Sequence, residues 1–427
     1  MSNVSDEVLR QHVLECLDVS LALAFGDLNP NDMPLREAVQ ITTDGTSAKS
    51  ETQLVPDVGH VLIRNFNLLQ ALPEVEKLRE YLLASPFGES VFVNPGNNRI
   101  EDKNAQAHWF TNYYVIPMLL EYTGSDQLLA FDSKRAESVY ESFQEFLRSD
   151  TVTYSVVAPL LRCKGDVESI PLDKFTRVRR LPDDELSSLA QGPFSSQHEV
   201  FSLRFCIETT EPGPKNLTVP LSAADIRVRT ALGALRLART GAVGIASVIR
   251  ERLAPYGSAV GKTTITSSGR DLMGPGYTIA TDDAEEIRSL YSVLGRDRQP
   301  TLDLALRRFG NAYERIRHED RLIDFWIALE ALFLPDDRQE LSYRASLRVA
   351  YLLEDDSERR RQVFDSLRKS YKLRSDVVHG AAVEDAEEMA GISVATEEFV
   401  RRSIKVALYD PDAVEPGRLD RRILDGS

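Results

Sequence analysis

Residues Ser5–Phe25 carry the spacing of an amphipathic helix. The polar segment Asp44–Glu51 then predicts a loop, and from about Val55 to Thr210 the pattern is mixed. Val152, Tyr154 and Val156 alternate with polar neighbours as a half-buried strand does, and Phe201, Leu203, Phe205 and Ile207 alternate in the same way. Between them, Leu181-Pro-Asp-Asp-Glu-Leu186 predicts a helix start, because proline fits the first turn and acids favour its positive end. Glu211-Pro-Gly-Pro-Lys-Asn216 predicts a loop, and Ser222–Arg252 a second helical stretch. Together these segments read as one α+β unit whose topology the pattern does not assign.

Leu294-Gly-Arg-Asp-Arg-Gln-Pro300 is the best candidate for a domain boundary. Beyond it the pattern is almost entirely helical, with helices predicted over Thr301–Arg315, Asp320–Leu334, Glu340–Leu353, Ser357–His379 and Ile392–Tyr409. Short polar breaks such as Glu354-Asp-Asp-Ser357 separate them, which favours an antiparallel bundle. The expected fold class is therefore α+β: a mixed N-terminal region over 1–295, then an all-α bundle over 296–427.

Helical periodicity puts several charged groups where apolar ones belong. On the fourth bundle helix Val363, Phe364, Leu367, Tyr371, Val377 and Val378 form one apolar stripe, and at about 100° per residue Arg374 falls inside it. A charge at such a position needs a partner, or it must line a cleft. His379 lies about 140° further round, so it meets Arg374 only if the last turn opens at Gly380, or across a two-fold dimer. On the second bundle helix Glu330 projects between Ile323 and Trp326, and on the third Arg348 projects among Leu341, Ala345 and Leu352, with Arg344 nearby. A buried network of Glu330 with Arg348, Arg344 or Arg374 is expected; its plain alternative is an ion pair that orients the bundle.

Composition narrows the class. The chain has 427 residues, 42% of them hydrophobic and 27% charged, as in folded proteins of two or three domains. A polar, acidic N-terminus and three scattered cysteines, Cys16, Cys163 and Cys206, suggest a reduced cytoplasmic protein without a signal peptide. The apolar run Ala231–Ile249 holds Arg236 and Arg239, so no membrane span is expected there. A net charge of −15 opposes non-specific binding of nucleic acid by the whole surface. It leaves room for a local RNA site at Arg368, Lys369 and Lys372, which share a predicted helix with Arg359, Arg360 and Arg361; the alternative is a solvated face. Gly257-Ser-Ala-Val-Gly-Lys262-Thr263 has one residue too few between its glycines for a phosphate loop, and Leu253-Ala-Pro-Tyr256 argues against a strand before it. His12, His60, His108, His198 and His318 stand apart from any Cys/His cluster at ligand spacing, so neither metal nor cofactor is expected.

Three blocks in order resemble the HEPN superfamily, and within it the Apea-like branch: Glu319-Asp-Arg-Leu-Ile-Asp-Phe-Trp-Ile-Ala-Leu-Glu-Ala-Leu-Phe333, Glu340-Leu-Ser-Tyr-Arg-Ala-Ser-Leu-Arg-Val-Ala350 and Tyr371-Lys-Leu-Arg-Ser-Asp-Val-Val-His-Gly380. The resemblance implies a dimerising helical bundle over 296–427 that cuts RNA without metal, commonly in host defence or toxin systems. It puts the family's arginine on Arg374 and its histidine on His379. Many active members carry Asn, Asp or His after the arginine, whereas this chain has Ser375, with Asp376 as the candidate substitute. Glu330, Arg348, Arg344 and Tyr371 are the expected supporting residues. Arginine would hold phosphate oxygens while histidine, which titrates near neutral pH, moves the proton of the ribose 2′-hydroxyl. Expected partners are RNA, tRNA included, a second copy of the chain and a regulatory partner. The region 1–295 would select RNA, sense a trigger or hold the nuclease inactive. The alternative is a non-catalytic HEPN module that binds RNA or a protein, in which His379 only answers the helix dipole.

Overall fold

The computed structural model describes residues 3–28, 32–43, 48–92, 99–124, 129–190, 200, 202–214, 222–254, 263–266, 272, 274–335, 339–380 and 385–425. Phe201, His198, residues 44–47 of the predicted loop, Lys215, Asn216 and residues 257–262 lie outside them. The chain is mixed α+β, with its sheet upstream and helices downstream.

The upstream part opens with α1 (Asn3–Phe25), a hairpin of β1 (Leu35–Thr43) and β2 (Ala48–Pro56), and short helices α2 (Val58–Arg64) and α3 (Phe66–Gln70). Next come α4 (Pro73–Ala84), α5 (Gly88–Val91), α6 (Lys103–Phe110), α7 (Ile116–Thr123) and α8 (Ser133–Arg148). A single π-helical turn, Thr111–Val115, joins α6 to α7. The helix α8 turns Val139, Tyr140, Phe143, Phe146 and Leu147 inward, and α1 packs against both α4 and α8.

The sheet follows: β3 (Thr151–Leu161), β4 (Cys163–Gly165), β5 (Ser169–Pro171), β6 (Thr176–Arg180), then α9 (Asp183–Ala190), β7 (Phe205–Pro214) and α10 (Ser222–Ala238). It continues with β8 (Gly244–Ile245), β9 (Ser247–Ala254), β10 (Thr263–Thr266) and β11 (Tyr277–Ile279). The strands run β10-β9-β3-β7-β6-β5, each antiparallel to its neighbours, with β8 on the end of β3 and β11 parallel to β4. Val152, Tyr154 and Val156 are buried in the central β3, as their alternation requires.

Five expectations need correction. The strand β2 begins at Ala48, inside the predicted loop; its polar sequence fits a two-stranded hairpin with largely exposed faces. The strand β7 begins at Phe205, because Leu203 is held in a turn by its N–H to the Val200 carbonyl. It then runs through Glu211–Pro214, paired with β3. Its pairing with β6 stops at Thr209, so the two prolines sit where only one neighbour must be matched. The predicted helix Ser222–Arg252 stops at Ala238, and β8 and β9 follow. A continuous apolar run has no period that separates a buried helix from a buried strand, and Val243, Ile245, Val248 and Ile249 are β-branched. The break falls at Gly241, with φ +145°, where a Cβ would approach the Tyr277 backbone to 3.0 Å. A strand therefore does precede residues 257–262, reaching Ala254.

After α11 (Ala284–Leu294) the chain turns at Gly295 and starts α12 (Pro300–Ala312) with proline in its first turn. The bundle continues with α13 (His318–Phe333), α14 (Leu341–Leu353), α15 (Ser357–Val378), α16 (Ala386–Tyr409) and α17 (Pro416–Asp425). The predicted helices are all present, four of them within three residues at each end; α16 starts six residues before the expected Ile392, and α17 is added to them. Because α13 is apolar almost all round, it takes the middle: Leu322, Phe325, Trp326, Leu329, Leu332 and Phe333 are buried against α12, α14, α15 and α16. One hydrophobic cluster runs from Leu9 to Leu419, and α10 touches α11, α12 and α16. No helix among the described residues is long and apolar enough to cross a membrane.

Candidate active site

The helix α15 carries the arginine and the histidine. It starts at Asp356, whose side chain accepts from the Arg359 N–H, and buries Val363, Leu367 and Ser370. Phe364, Tyr371, Leu373 and Val377 pack partly against the core. Its last turn closes with the His379 N–H on the Ser375 carbonyl and the Gly380 N–H on the Val377 carbonyl. Gly380, at φ +84°, ends the helix as predicted.

Arg374 lies in the stripe, where periodicity puts it. Its guanidinium centre stands 5.5 Å from the Tyr371 ring centroid, and that ring meets Trp326 edge-on at 4.9 Å. Its Nη2 is 3.9 Å from Glu330 Oε1, the two side chains being 21% and 26% exposed. Arg374 Nε is buried, and among the described residues it has no hydrogen-bond partner. Burial pushes the Glu330 carboxyl above the ordinary carboxylate range, and Arg374 pulls it part of the way back. The pair is thus long, half-dry and incompletely compensated.

The predicted network with Arg348 and Arg344 is corrected. Arg348 is buried, but its Nε and Nη2 donate to the two oxygens of Asp420, both at 2.8 Å, and its Nη1 to the Phe333 carbonyl at 2.6 Å. Arg344 Nη2 reaches the same carboxylate at 3.6 Å. The hydrogen bonds from Arg348 hold the Asp420 carboxyl below its ordinary value. Glu330 therefore pairs with Arg374, while the two arginines of α14 belong to α17. The signal was the amphipathic spacing of Leu419 and Ile423 around Asp420, in a segment left without an assigned helix.

The remaining candidates divide. Ser375 is half-buried and Asp376 exposed. His379 is exposed at the helix end, and the unbroken helix keeps it about 140° from Arg374, so one chain does not bring the two together. Of the basic residues, Lys369 pairs with Glu388 at 2.5 Å, Arg368 Nη1 donates to Ser342 Oγ at 3.1 Å, and Lys372 is exposed. Arg360 folds back onto the Tyr351 ring and donates to the Glu354 carbonyl. The run is mostly a solvated face.

Sequence reasoning missed two buried polar constructions. Trp326 Nε1 donates to Ser370 Oγ at 2.8 Å; that hydroxyl lies 2.8 Å from Thr396 Oγ1, which donates to the Ile392 carbonyl. The chain ties α13, α15 and α16 together directly behind Tyr371. The same 100° arithmetic that places Arg374 in the stripe also places Ser370 there. The second joins the two regions. Glu397 accepts from Arg321 at 2.6 Å and from the Tyr313 hydroxyl at 2.7 Å, and also pairs with Arg401. Arg401 Nε donates to the Arg236 carbonyl at 2.9 Å, while Arg236 reaches the Gly310 carbonyl and Glu314. Glu397 and Arg401, four apart on the face that carries Val400 and Ile404, were visible as charges in an apolar stripe. Burial and the charge of Arg321 lower the pKa of nearby His318. All three cysteines are free and buried, which pushes their thiols up and makes them poor nucleophiles. Among the described residues no three His, Cys, Asp or Glu side chains group as metal ligands do.

No protein-family model matches the chain, and neither a curated protein nor a solved structure matches it. The likeness to the HEPN superfamily rests on the three sequence blocks alone.

Proposed function

We propose that the chain is a HEPN-type endoribonuclease that cuts RNA by attack of the ribose 2′-hydroxyl on the adjacent phosphate, with Arg374 holding the phosphate and His379 transferring the proton. The observation that carries this reading is the state of Arg374. Arg321, Arg348 and Arg401, the buried arginines among the described residues of the bundle helices, are held by carboxylates at hydrogen-bonding distance. Among the described residues Arg374 pairs with Glu330 at 3.9 Å, a carboxylate whose charge is itself disfavoured by burial. Its cation is therefore available to an anion from outside, and a phosphodiester supplies two oxygens for its fork. Because His379 leaves the opposite side of α15, the reading includes a homodimer whose facing helices each give one residue to the cleft. Products would be a 2′,3′-cyclic phosphate and a 5′-hydroxyl. A role in defence or toxin action, with a regulatory partner, follows from the family likeness.

The angular separation of Arg374 and His379 also favours a second reading, a non-catalytic module that binds RNA or a protein through α15. Incubation of purified chain with total RNA and tRNA in EDTA, beside Arg374→Ala and His379→Ala, separates the two. The nuclease gives cyclic-phosphate ends with the native chain and a loss of at least a hundredfold with either variant. Intact RNA alongside a folded, RNA-binding native chain would leave the module.

A further inference from the structure

One turn before Arg374, α15 and the start of α14 border a shallow, open hollow of ≈ 540 Å³ lined by Glu340, Leu341, Ser342, Tyr343, Arg368 and Tyr371. Its contents suit a nucleotide. Tyr343 is 47% exposed although it is a large aromatic side chain, and its ring is braced edge-on by Phe364 at 5.5 Å. Arg368 is exposed at the hollow and positioned by its bond to Ser342 Oγ. Tyr371 is shared: it lines the hollow and also lies beneath the Arg374 guanidinium. By helical projection Arg368 and Lys372 lie within about 20° of His379, so one face of α15 runs from the hollow to the histidine. Eight residues separate Tyr371 from His379, about 12 Å along the helix, a span that a strand of a few nucleotides crosses.

We propose that this hollow is a binding subsite for an unpaired nucleotide of RNA, with the base stacked on Tyr343 and its phosphate beside Arg368. The inference rests on the reading of α15 as an RNA-contacting helix, and it names the substrate class as single-stranded. A braced aromatic face beside a cation takes any base in an unpaired strand, whereas a base inside a duplex presents no open face. The phosphate held by Arg374 is then further along the same strand.

The test uses the full chain and a fluorescent single-stranded oligonucleotide with 2′-O-methyl riboses, which cannot be cut because the attacking hydroxyl is blocked. In an anisotropy titration Tyr343→Ala weakens binding about tenfold, Arg368→Ala also weakens it, Tyr343→Phe restores it, and the same sequence as a duplex binds less well. Equal binding by Tyr343→Ala and the native chain, or no binding by the native chain, overturns the subsite. The Phe variant keeps the ring packed on Phe364, so loss of fold is told apart from loss of stacking. Tyr343-dependent binding without any cleavage in EDTA would retain the subsite and remove the ribonuclease reading. Cleavage that ignores Tyr343 would do the reverse.

Discussion

Glu330 shows how one side chain sets the state of the candidate site. Its folded pKa is raised, burial outweighing the nearby arginine. The sign follows: its favourable contribution is fully present below the pKa of an unfolded glutamate and is lost as pH rises through the raised folded value. At neutral pH the ionised carboxylate therefore works against the fold. Glu330→Gln should raise the urea midpoint at pH 7 by an amount that shrinks towards zero near pH 4. A midpoint lowered at pH 7 would mean that the pair with Arg374 is the stronger effect. The position of Arg374 was legible because it depends only on angles along one helix, and its pairing with Glu330 was among the expected pairs. The partner of Arg348 was not legible, since Asp420 lies 72 residues away and only packing brings them together.

At the scale of elements, helices were easier to read than strands. In α13 an apolar surface on all sides has one solution, a central place in the bundle. The β9 segment lay inside a run whose apolar residues have no period, and in β7 prolines concealed the strand's second half, which keeps only one neighbour. The last helix, α17, is small but holds a strong contact. Asp420→Asn would take the charge from the partner of buried Arg348, at a cost of about 1–2 kcal/mol because water screens the half-exposed carboxylate. Chemical unfolding at pH 7 measures it. The Asp420 pKa is lowered, so its contribution is present above the unfolded aspartate value and lost as pH falls through the folded one. The native chain and the variant should therefore converge in acid, and a constant gap from pH 7 to pH 3 would argue against the pair as the cause.

At the scale of the whole molecule, the sheet region and the bundle share a core and the ionic cluster around Glu397. The boundary at residues 294–300 is legible as a turn between helices, but Arg236 and Arg401 cross it from far away in sequence, which no local pattern displays. The proposed dimer makes its own prediction. Arg374→Ala and His379→Ala chains, each inactive, should regain part of the native cleavage when unfolded together and refolded as a mixture. In the mixed dimer one arginine and one histidine remain to face each other. Absence of any recovery, with mixed dimers confirmed by mass, would place both residues of a working site on one chain.

The contact between Asp420 and Arg348 also bears on how the protein is made. A ribosome delivers α13, α14, α15 and α16 before α17, so every residue of the candidate site emerges while the carboxylate for Arg348 is still inside the exit tunnel. Until then Arg348 lacks the two charge-assisted hydrogen bonds that it makes to Asp420 in the folded chain. Synthesis thus imposes a delay: a nascent chain bearing Arg374 and His379 is not yet a finished bundle, and the Arg348–Asp420 contact closes only when α17 docks.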